Sequence, residues 1–296
     1  MSVHRRQPYV LITPAHNEEA YIEKTIRSVV DQTVLPQRWV IVSDGSTDRT
    51  DEIIQSYTLN YDFIRYSAST KASGRSFGSK VRAFNLGYAQ LGDIPYDFVG
   101  NLDADVSFDQ HYFENILERF HNNSRLGIAG GWVYEQQNGI FTPRFGSTVL
   151  SVPGSIMLFR KNCFFKIDGY IPIPMGGEDS IAEIAARMYG WETRSFPELK
   201  VYHHRKTGTG NAGIYLARFR QGIEEYGVGT HPVFLLFKAL RRVIEKPYFI
   251  GSCLRLTGYI VSCLRREERQ IPENVMQFLR AKQMERLQSY LNPRKY

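Results

Sequence analysis

Two carboxylates one residue apart, Asp103-Ala104-Asp105, follow a strand-like run and precede a segment that reads as a helix. At a strand end both can reach a hard divalent cation, which prefers oxygen ligands and completes its shell with phosphate oxygens and water. Alone, the triplet reads equally well as a polar turn with a helix cap. Asp44-Gly45-Ser46-Thr47-Asp48 closes another strand-like run. It offers turn and N-cap chemistry, or an acidic side chain for the donor groups of a base or ribose. Glu178-Asp179 follows Met175-Gly176-Gly177 at a helix start. Acids there complement the helix dipole, or supply the positioned carboxylate that a general base requires. His203-His204 ends a later strand-like run. One of the two imidazoles is a candidate third metal ligand, and the sequence leaves open which.

The elements that must position these groups alternate along the N-terminal part of the chain. Residues 9–13, 39–42, 63–66 and 96–99 are short runs of strand character. Between them, residues 18–31, the segment holding Ile53, Ile54 and Tyr57, and residues 80–91 show helical spacing. Alternation with short connections predicts a parallel α/β sheet, in which ligands bind at the carboxyl ends of the strands. Asn17, Asp44 and Asp103 each follow a strand, so they are expected to converge on one edge. Residues 126–159 turn to strand and turn character around Gly130-Gly131 and Pro153-Gly154, and a helix is expected over 179–189. Beyond Arg205 a Gly/Thr-rich stretch leads into helical sequence with Arg and Lys among aromatics and leucines. The expected division is a catalytic domain over 1–205 and a basic amphipathic helical region over 206–296.

Composition narrows the class. With 43% hydrophobic and 23% charged residues the chain is ordinary globular material. Three cysteines, none in a C-x-x-C pair, make no disulfide framework and favour a reducing compartment. The polar, basic N-terminal residues lack the apolar core of a signal peptide, so a cytoplasmic location is expected. No apolar run reaches the ~18 residues of a spanning helix. The net charge of +7 is uneven: residues 205–296 hold 17 Lys and Arg against 7 Asp and Glu, while residues 1–204 hold 20 against 23. Basicity confined to one region points to an anionic partner. Nucleic acid is not expected, because zinc-ligand spacing and RNP-like motifs are missing. A dinucleotide oxidoreductase is disfavoured by the lack of G-x-G-x-x-G. Stretches 231–240 and 248–264, with Arg241, Arg242, Arg255, Arg265 and Arg266, suit helices lying in the interface of an anionic membrane. A packed subdomain with a solvated basic face is the alternative.

Together these segments resemble the family-2 glycosyltransferases. Ile12-Thr13-Pro14-Ala15-His16-Asn17-Glu18-Glu19 looks like their P-x-x-N-E opening, and Asp44-Gly45-Ser46-Thr47-Asp48 like their D-G-S-x-D segment. Lys80-x-x-Ala83-x-Asn85-x-Gly87 is similar to their K-x-x-A-x-N-x-G helix. Leu102-Asp103-Ala104-Asp105 matches their metal motif, and Asp168-Gly169-Tyr170 with Gly177-Glu178-Asp179 matches their G-G-F and E-D region, Asp168 standing where Gly is common. Val201-Tyr202-His203 matches the later strand and histidine.

The resemblance implies a GT-A fold: a Rossmann-like, mostly parallel sheet flanked by helices, here with a C-terminal helical extension. It implies inverting transfer of a sugar from a nucleoside-diphosphate donor, UDP-sugar in preference to GDP-sugar, with Mn²⁺ or Mg²⁺. Asp44 would bind the base, Asp103 ribose or metal, and Asp105 metal. Asp179 would be the general base. His203 is the first choice for the further ligand, since Arg205 completes an H-x-R pattern. Pro14, Asn17, Glu18, Lys80, Ala104 and Glu178 complete the expected donor site, with Lys71, Lys80 and Arg75 as candidate diphosphate contacts. The Q-x-x-R-W motif of processive members is missing, so one sugar per binding event is expected. A lipid-linked or saccharide acceptor would suit the basic C-terminal third, with the protein peripheral on the inner face of the plasma membrane. The rival is a non-catalytic nucleotide-sugar-binding or scaffold protein of the same fold.

Overall fold

Tyr9–Ala15 (β1), Arg38–Ser43 (β2) and Phe98–Leu102 (β4) are buried along nearly their whole lengths. Continuous apolar strands need both sheet faces covered, which is the setting of parallel β-structure. With Ile64–Ala68 (β3) they pair in parallel in the order β3-β2-β1-β4. Ile22–Val30 (α1), Thr50–Thr58 (α2) and Phe77–Ala89 (α3) connect them. Residues 18–20, expected to be helical, form the turn before α1; the Glu18 carbonyl accepts from the N–H groups of Tyr21 and Ile22. The computed structural model describes residues 7–69, 77–137, 139–144, 146–173, 176–205, 213–244 and 247–291. Lys71, Arg75 and Met175 lie outside them.

The sheet continues in a mixed half. Val106–Phe108 (β5), Tyr112–Asn122 (α4), Leu126–Gln137 (β6), Ile140–Pro143 (β7), Ile156–Arg160 (β8), Lys161–Lys166 (α5), Glu178–Met188 (α6) and Glu192–His203 (β9) follow in order. β8 runs antiparallel to both β4 and β6, β6 lies parallel to β9, and β5 closes antiparallel on β9. Asp103–Asp105 therefore does not lead straight into a helix. Three-residue β5 intervenes and sets Val106 opposite His203. Gly130 and Gly131, read as turn residues, lie within β6. A Cβ on Gly131 would sit 2.3 Å from the Leu199 carbonyl oxygen, and one on Gly130 2.6 Å from that of Ile156. These glycines let β6 approach its neighbours closely.

The chain divides into two compact units, Met1–Thr207 and Gly208–Tyr296. The second unit holds Ile214–Gly227 (α7), Pro232–Arg241 (α8), Ile250–Leu264 (α9) and Glu273–Leu291 (α10). α7 and α9 pack through glycines: a Cβ on Gly222 would meet the Arg255 carbonyl oxygen at 1.9 Å, and one on Gly258 that of Phe219 at 2.1 Å. Between the helices Glu225 is buried, accepting from Lys238 Nζ at 2.7 Å and from both Nε and Nη2 of Arg255. Arg255, expected among the solvent- or lipid-facing cations, is thus an interior residue.

Asp168 has φ 60° and the next residue, Gly169, φ 68°. The left-handed conformation explains why glycine suits position 168, and Asp is among the few other residues that tolerate it. Asp168→Gly should raise stability by roughly 0.5–1 kcal/mol, read as a higher thermal midpoint, and Asp168→Val should lower it. Equal midpoints for all three proteins would contradict strain at this turn.

Candidate active site

The site begins at the carboxyl ends of β1, β2 and β4, where the turns after three adjacent strands meet. The first two turns are stitched together. Asn17, with φ 54°, receives Thr47 N–H on its side-chain oxygen at 2.8 Å and donates its own N–H to Ser46 Oγ at 3.2 Å. Glu18 N–H donates to Thr50 Oγ1 at 2.7 Å, and Glu19 N–H to Asp48 Oδ2 at 3.1 Å. Asp48 also accepts from Thr50 N–H at 3.0 Å. The second acid of the Asp44–Asp48 segment is therefore spent on holding the loops. Asp44 is held by its backbone instead: its N–H donates to the Ala15 carbonyl at 2.8 Å and its carbonyl meets His16 Nδ1 at 2.7 Å. Its half-buried carboxylate makes no side-chain hydrogen bond among the described residues. Pro14 is half-buried near the end of β1.

The third turn carries the two aspartates. Asp103 N–H donates to the Ser155 carbonyl at 2.8 Å, and Lys80 Nζ on α3 lies 2.6 Å from Asp103 Oδ1. Ala104 is buried in the apolar core, which anchors the triplet between its two acids. Asp105 is buried; His203 Nε2 lies 3.2 Å from its Oδ1 and Arg205 Nε 3.1 Å from its Oδ2. Burial opposes the charge of Asp105, yet the His203 hydrogen bond, with the charges of His203, Arg205 and Lys80, holds its carboxyl below the ordinary value. The His203 imidazole is pushed down by burial but raised overall by its bond to Asp105. Asp103, Asp105 and His203 offer ligand atoms that all lie within 4.8 Å of one another. Two carboxylates and an imidazole suit Mn²⁺ or Mg²⁺, so these residues fit a divalent cation. His204 goes elsewhere: its Nε2 meets Ser107 Oγ at 2.8 Å and its ring abuts Phe141.

Lys80 links this group to a second cluster of acids. Lys80, Phe84, Asn101, Gly154, Tyr170, Glu178 and Asp179 line one cleft. Burial works against the Lys80 charge, but Asp103, Glu178 and Asp179 together raise its pKa above the ordinary lysine value. Gly177, with φ 94°, starts α6, so Glu178 and Asp179 stand in its first turn, where the helix dipole favours acids. Asp179 accepts from Ser180 N–H at 2.7 Å. Glu178 is buried and raised above its ordinary value by burial and by Asp179, against the pull of Lys80. Gly154 is needed beside Asp179: a Cβ there would lie 2.6 Å from Asp179 Oδ2. The Gly154 carbonyl accepts from Asn101 Nδ2 at 2.6 Å.

Two residues of this arrangement were not singled out from sequence for what they do. Arg205, noted only as part of a pattern, joins Asp105 to Glu18 and so ties the first turn to the third. Glu183 lies one turn beyond Asp179 on α6. It is 3% exposed, accepts Val152 N–H at 2.7 Å and Ser151 Oγ at 3.3 Å, and fastens the loop that carries Gly154 and Ser155. An acid four residues from Asp179 among Ile181, Ala182, Ala185 and Ala186 was the available signal.

The family model of glycosyl transferase family 2 matches residues 10–183, more than half of the chain. The chain belongs to this family. Solved structures share its fold. TarS residues 1–349 of S. aureus, in complex with UDP-GlcNAc, gives a TM-score of 0.60 at 16% identity, covering 98% of this chain and 93% of that one. A mannosyltransferase of Pyrobaculum calidifontis, in complex with GDP-Man and Mn²⁺, gives 0.56 at 13% identity, covering 99% and 89%. The architecture is GT-A. Among curated relatives, an uncharacterized glycosyltransferase of Mycoplasma genitalium is 27% identical over 142 residues, covering 47% of this chain and 45% of its own. A poly-β-1,6-N-acetyl-D-glucosamine synthase of Staphylococcus aureus is 29% identical over 131 residues, covering 44% of this chain and 30% of its own. The matched stretches thus span less than half of these relatives.

Burial pushes the Glu183 carboxyl up from 4.5 to about 7. A carboxyl that holds its proton more tightly when folded stabilises the fold at low pH, and this advantage is lost as pH rises towards about 7. Stability should therefore fall between the unfolded value and about 7, by on the order of 3 kcal/mol. Glu183→Gln, which keeps an acceptor for Val152, should flatten that part of the curve in urea unfolding measured across pH. An unchanged slope would remove Glu183 as its source.

Proposed function

We propose that this chain moves a sugar from a nucleoside-diphosphate donor to an acceptor hydroxyl with inversion at the anomeric carbon. The observation that carries the reading is the convergence of Asp103, Asp105 and His203 within 4.8 Å, joined through Lys80 to the cleft that holds Asp179. Complexes of its structural neighbours with UDP-GlcNAc and with GDP-Man support a nucleotide-sugar donor. UDP-sugar is preferred on the strength of the sequence resemblance, with Asp44 as the base contact. Pro14, Asn17 and Glu18 would border that donor pocket.

Asp103, Asp105 and His203 would hold Mn²⁺ or Mg²⁺, and the Mn²⁺ named for the Pyrobaculum enzyme agrees with this donor set. A bound cation would supply positive charge to the departing diphosphate. Lys80, 2.6 Å from Asp103 Oδ1, would add a fixed cation on that side of the site. Asp179 takes the acceptor hydroxyl proton while the acceptor oxygen bonds to the anomeric carbon. The bond from that carbon to the phosphate oxygen breaks, and the nucleoside diphosphate leaves with the electron pair. A single displacement inverts the configuration. Glu178 shapes the electrostatics of the cleft next to Lys80. The acceptor is a lipid-linked or saccharide precursor; the relative named for a polysaccharide supports the saccharide alternative. We read the transfer as one addition per encounter, in keeping with residues 218–226, whose sequence differs from the Q-x-x-R-W pattern of processive members.

Asp179→Asn should lower transfer about a hundredfold or more while leaving donor binding intact by calorimetry. Retention of most activity would refute Asp179 as the base. Thermal-shift measurements should show stabilisation by a UDP-sugar only with Mn²⁺, and Asp105→Asn or His203→Ala should abolish that dependence. Stabilisation without metal in all three proteins would refute the cation site. Donor binding with no hydrolysis or transfer under any metal would favour the non-catalytic binding protein.

A further inference from the structure

Helix α9 is built inside out for a helix in water. Its one charged residue, Arg255, is buried against Glu225, as are Ser252 and Ser262 within the unit. Its outward positions are Ile250, Cys253, Thr257, Ile260 and Leu264, with Ile260 53% and Leu264 79% exposed. These recur at spacings of three and four, so they form one uncharged stripe over the full helix. α8 presents a similar row, Val233, Leu236 and Leu240, all more than half exposed. Tyr259 Oη donates to the Thr230 carbonyl just before α8, and Ser252 Oγ donates to that of Ala239 near its end. The two helices therefore run antiparallel, with exposed Tyr248 and Phe249 in the turn between them. Exposed arginines mark both ends of the hairpin, Arg241 at one and Arg265 with Arg266 at the other, while Arg242 is half-buried in a cleft with Arg218 and Arg255.

We propose that the outer face of this hairpin lies on an anionic lipid bilayer, with the α8 and α9 stripes seated among the acyl chains and the terminal arginines at the headgroups. Exposed apolar rows on both helices of the hairpin call for an occupant. Exposed Arg241, Arg265 and Arg266 at its two ends select an anionic one. Among the described residues no helix is long and apolar enough to cross a membrane. An amphipathic hairpin flanked by arginine lies in the interface rather than spanning it. This placement is independent of the reading of the active site and would bring the chain to the surface where a lipid-linked acceptor resides.

The test is flotation of the full chain with vesicles of phosphatidylcholine alone or mixed with phosphatidylglycerol, at low and high salt. The chain should float with the mixed vesicles, bind phosphatidylcholine at least about tenfold more weakly, and be partly released by salt. Ile260→Asp combined with Leu264→Asp changes exposed positions, so folding should persist by circular dichroism, and binding should fall about tenfold or more. Asp179→Asn should float like the parent, which separates this proposal from the catalytic one. A chain that floats with neither vesicle overturns the proposal, as does an Ile260→Asp/Leu264→Asp protein that binds like the parent. A dimer that dissociates in that variant, without vesicle binding by the parent, would assign the face to self-association and equally overturn it.

Discussion

Carboxylates gathered around one cleft repel one another, and the groups around them in the first unit offset that repulsion. Asp103, Asp105, Glu178 and Asp179 come from a strand end and a helix start, with Glu183 buried a turn further along α6. Basic side chains answer them, among them Arg187 beside Glu183. Lys80 faces Asp103 and feels Glu178 and Asp179, while His203 and Arg205 hold Asp105. Coulomb energy in a partly buried site is several times its value in water, so each cation matters more here than on the surface. The helix dipole at the start of α6 adds a further favourable field. Burial decides the rest: Glu178 and Glu183 are raised in spite of Lys80 and Arg187, while Asp105, bonded to His203 and Arg205, is lowered. Asp105 is thereby biased toward its charged form, and Glu178 and Glu183 toward the neutral one.

That pattern explains what was legible in the sequence. Asn17, Asp44 and Asp103 follow buried parallel strands, and parallel neighbours deliver their ends to one edge whatever the details of the loops. The start of α6 was legible for a similar reason, since glycines followed by acids mark a helix N-terminus. The parallel half of the sheet could thus be read from apolar runs alone. The mixed half could not. β5 is three residues long, below the length at which periodicity can be counted, and Gly130-Gly131 resembles a turn until the neighbouring carbonyl oxygens are in place.

Side-chain direction was the other limit. Of His203-His204 one imidazole meets Asp105 and the other Ser107, a choice set by the β5–β9 register, which no local pattern displays. Arg205 bonds to Asp105, 100 residues away, and to Glu18, 187 residues away. Arg255 looked like one more surface cation until Glu225, 30 residues earlier, was found buried beside it. In each case a charge was visible and its partner was not, because pairing depends on tertiary approach rather than on spacing.

The stitching of the first two turns carries a consequence for how this protein can change. Asn17, Glu18 and Glu19 on one turn are bonded to Ser46, Thr47, Asp48 and Thr50 on the other, through backbone groups as well as side chains. Neither turn has a shape of its own to donate. Substitutions on the two sides should couple instead of adding, because each leaves a stranded donor or acceptor on the opposite loop. Anyone seeking to test the proposed nucleotide contact at Asp44 by grafting would have to transplant both segments as a single cassette; an exchange of the Asp44 loop alone would import that side chain without the frame that aims it.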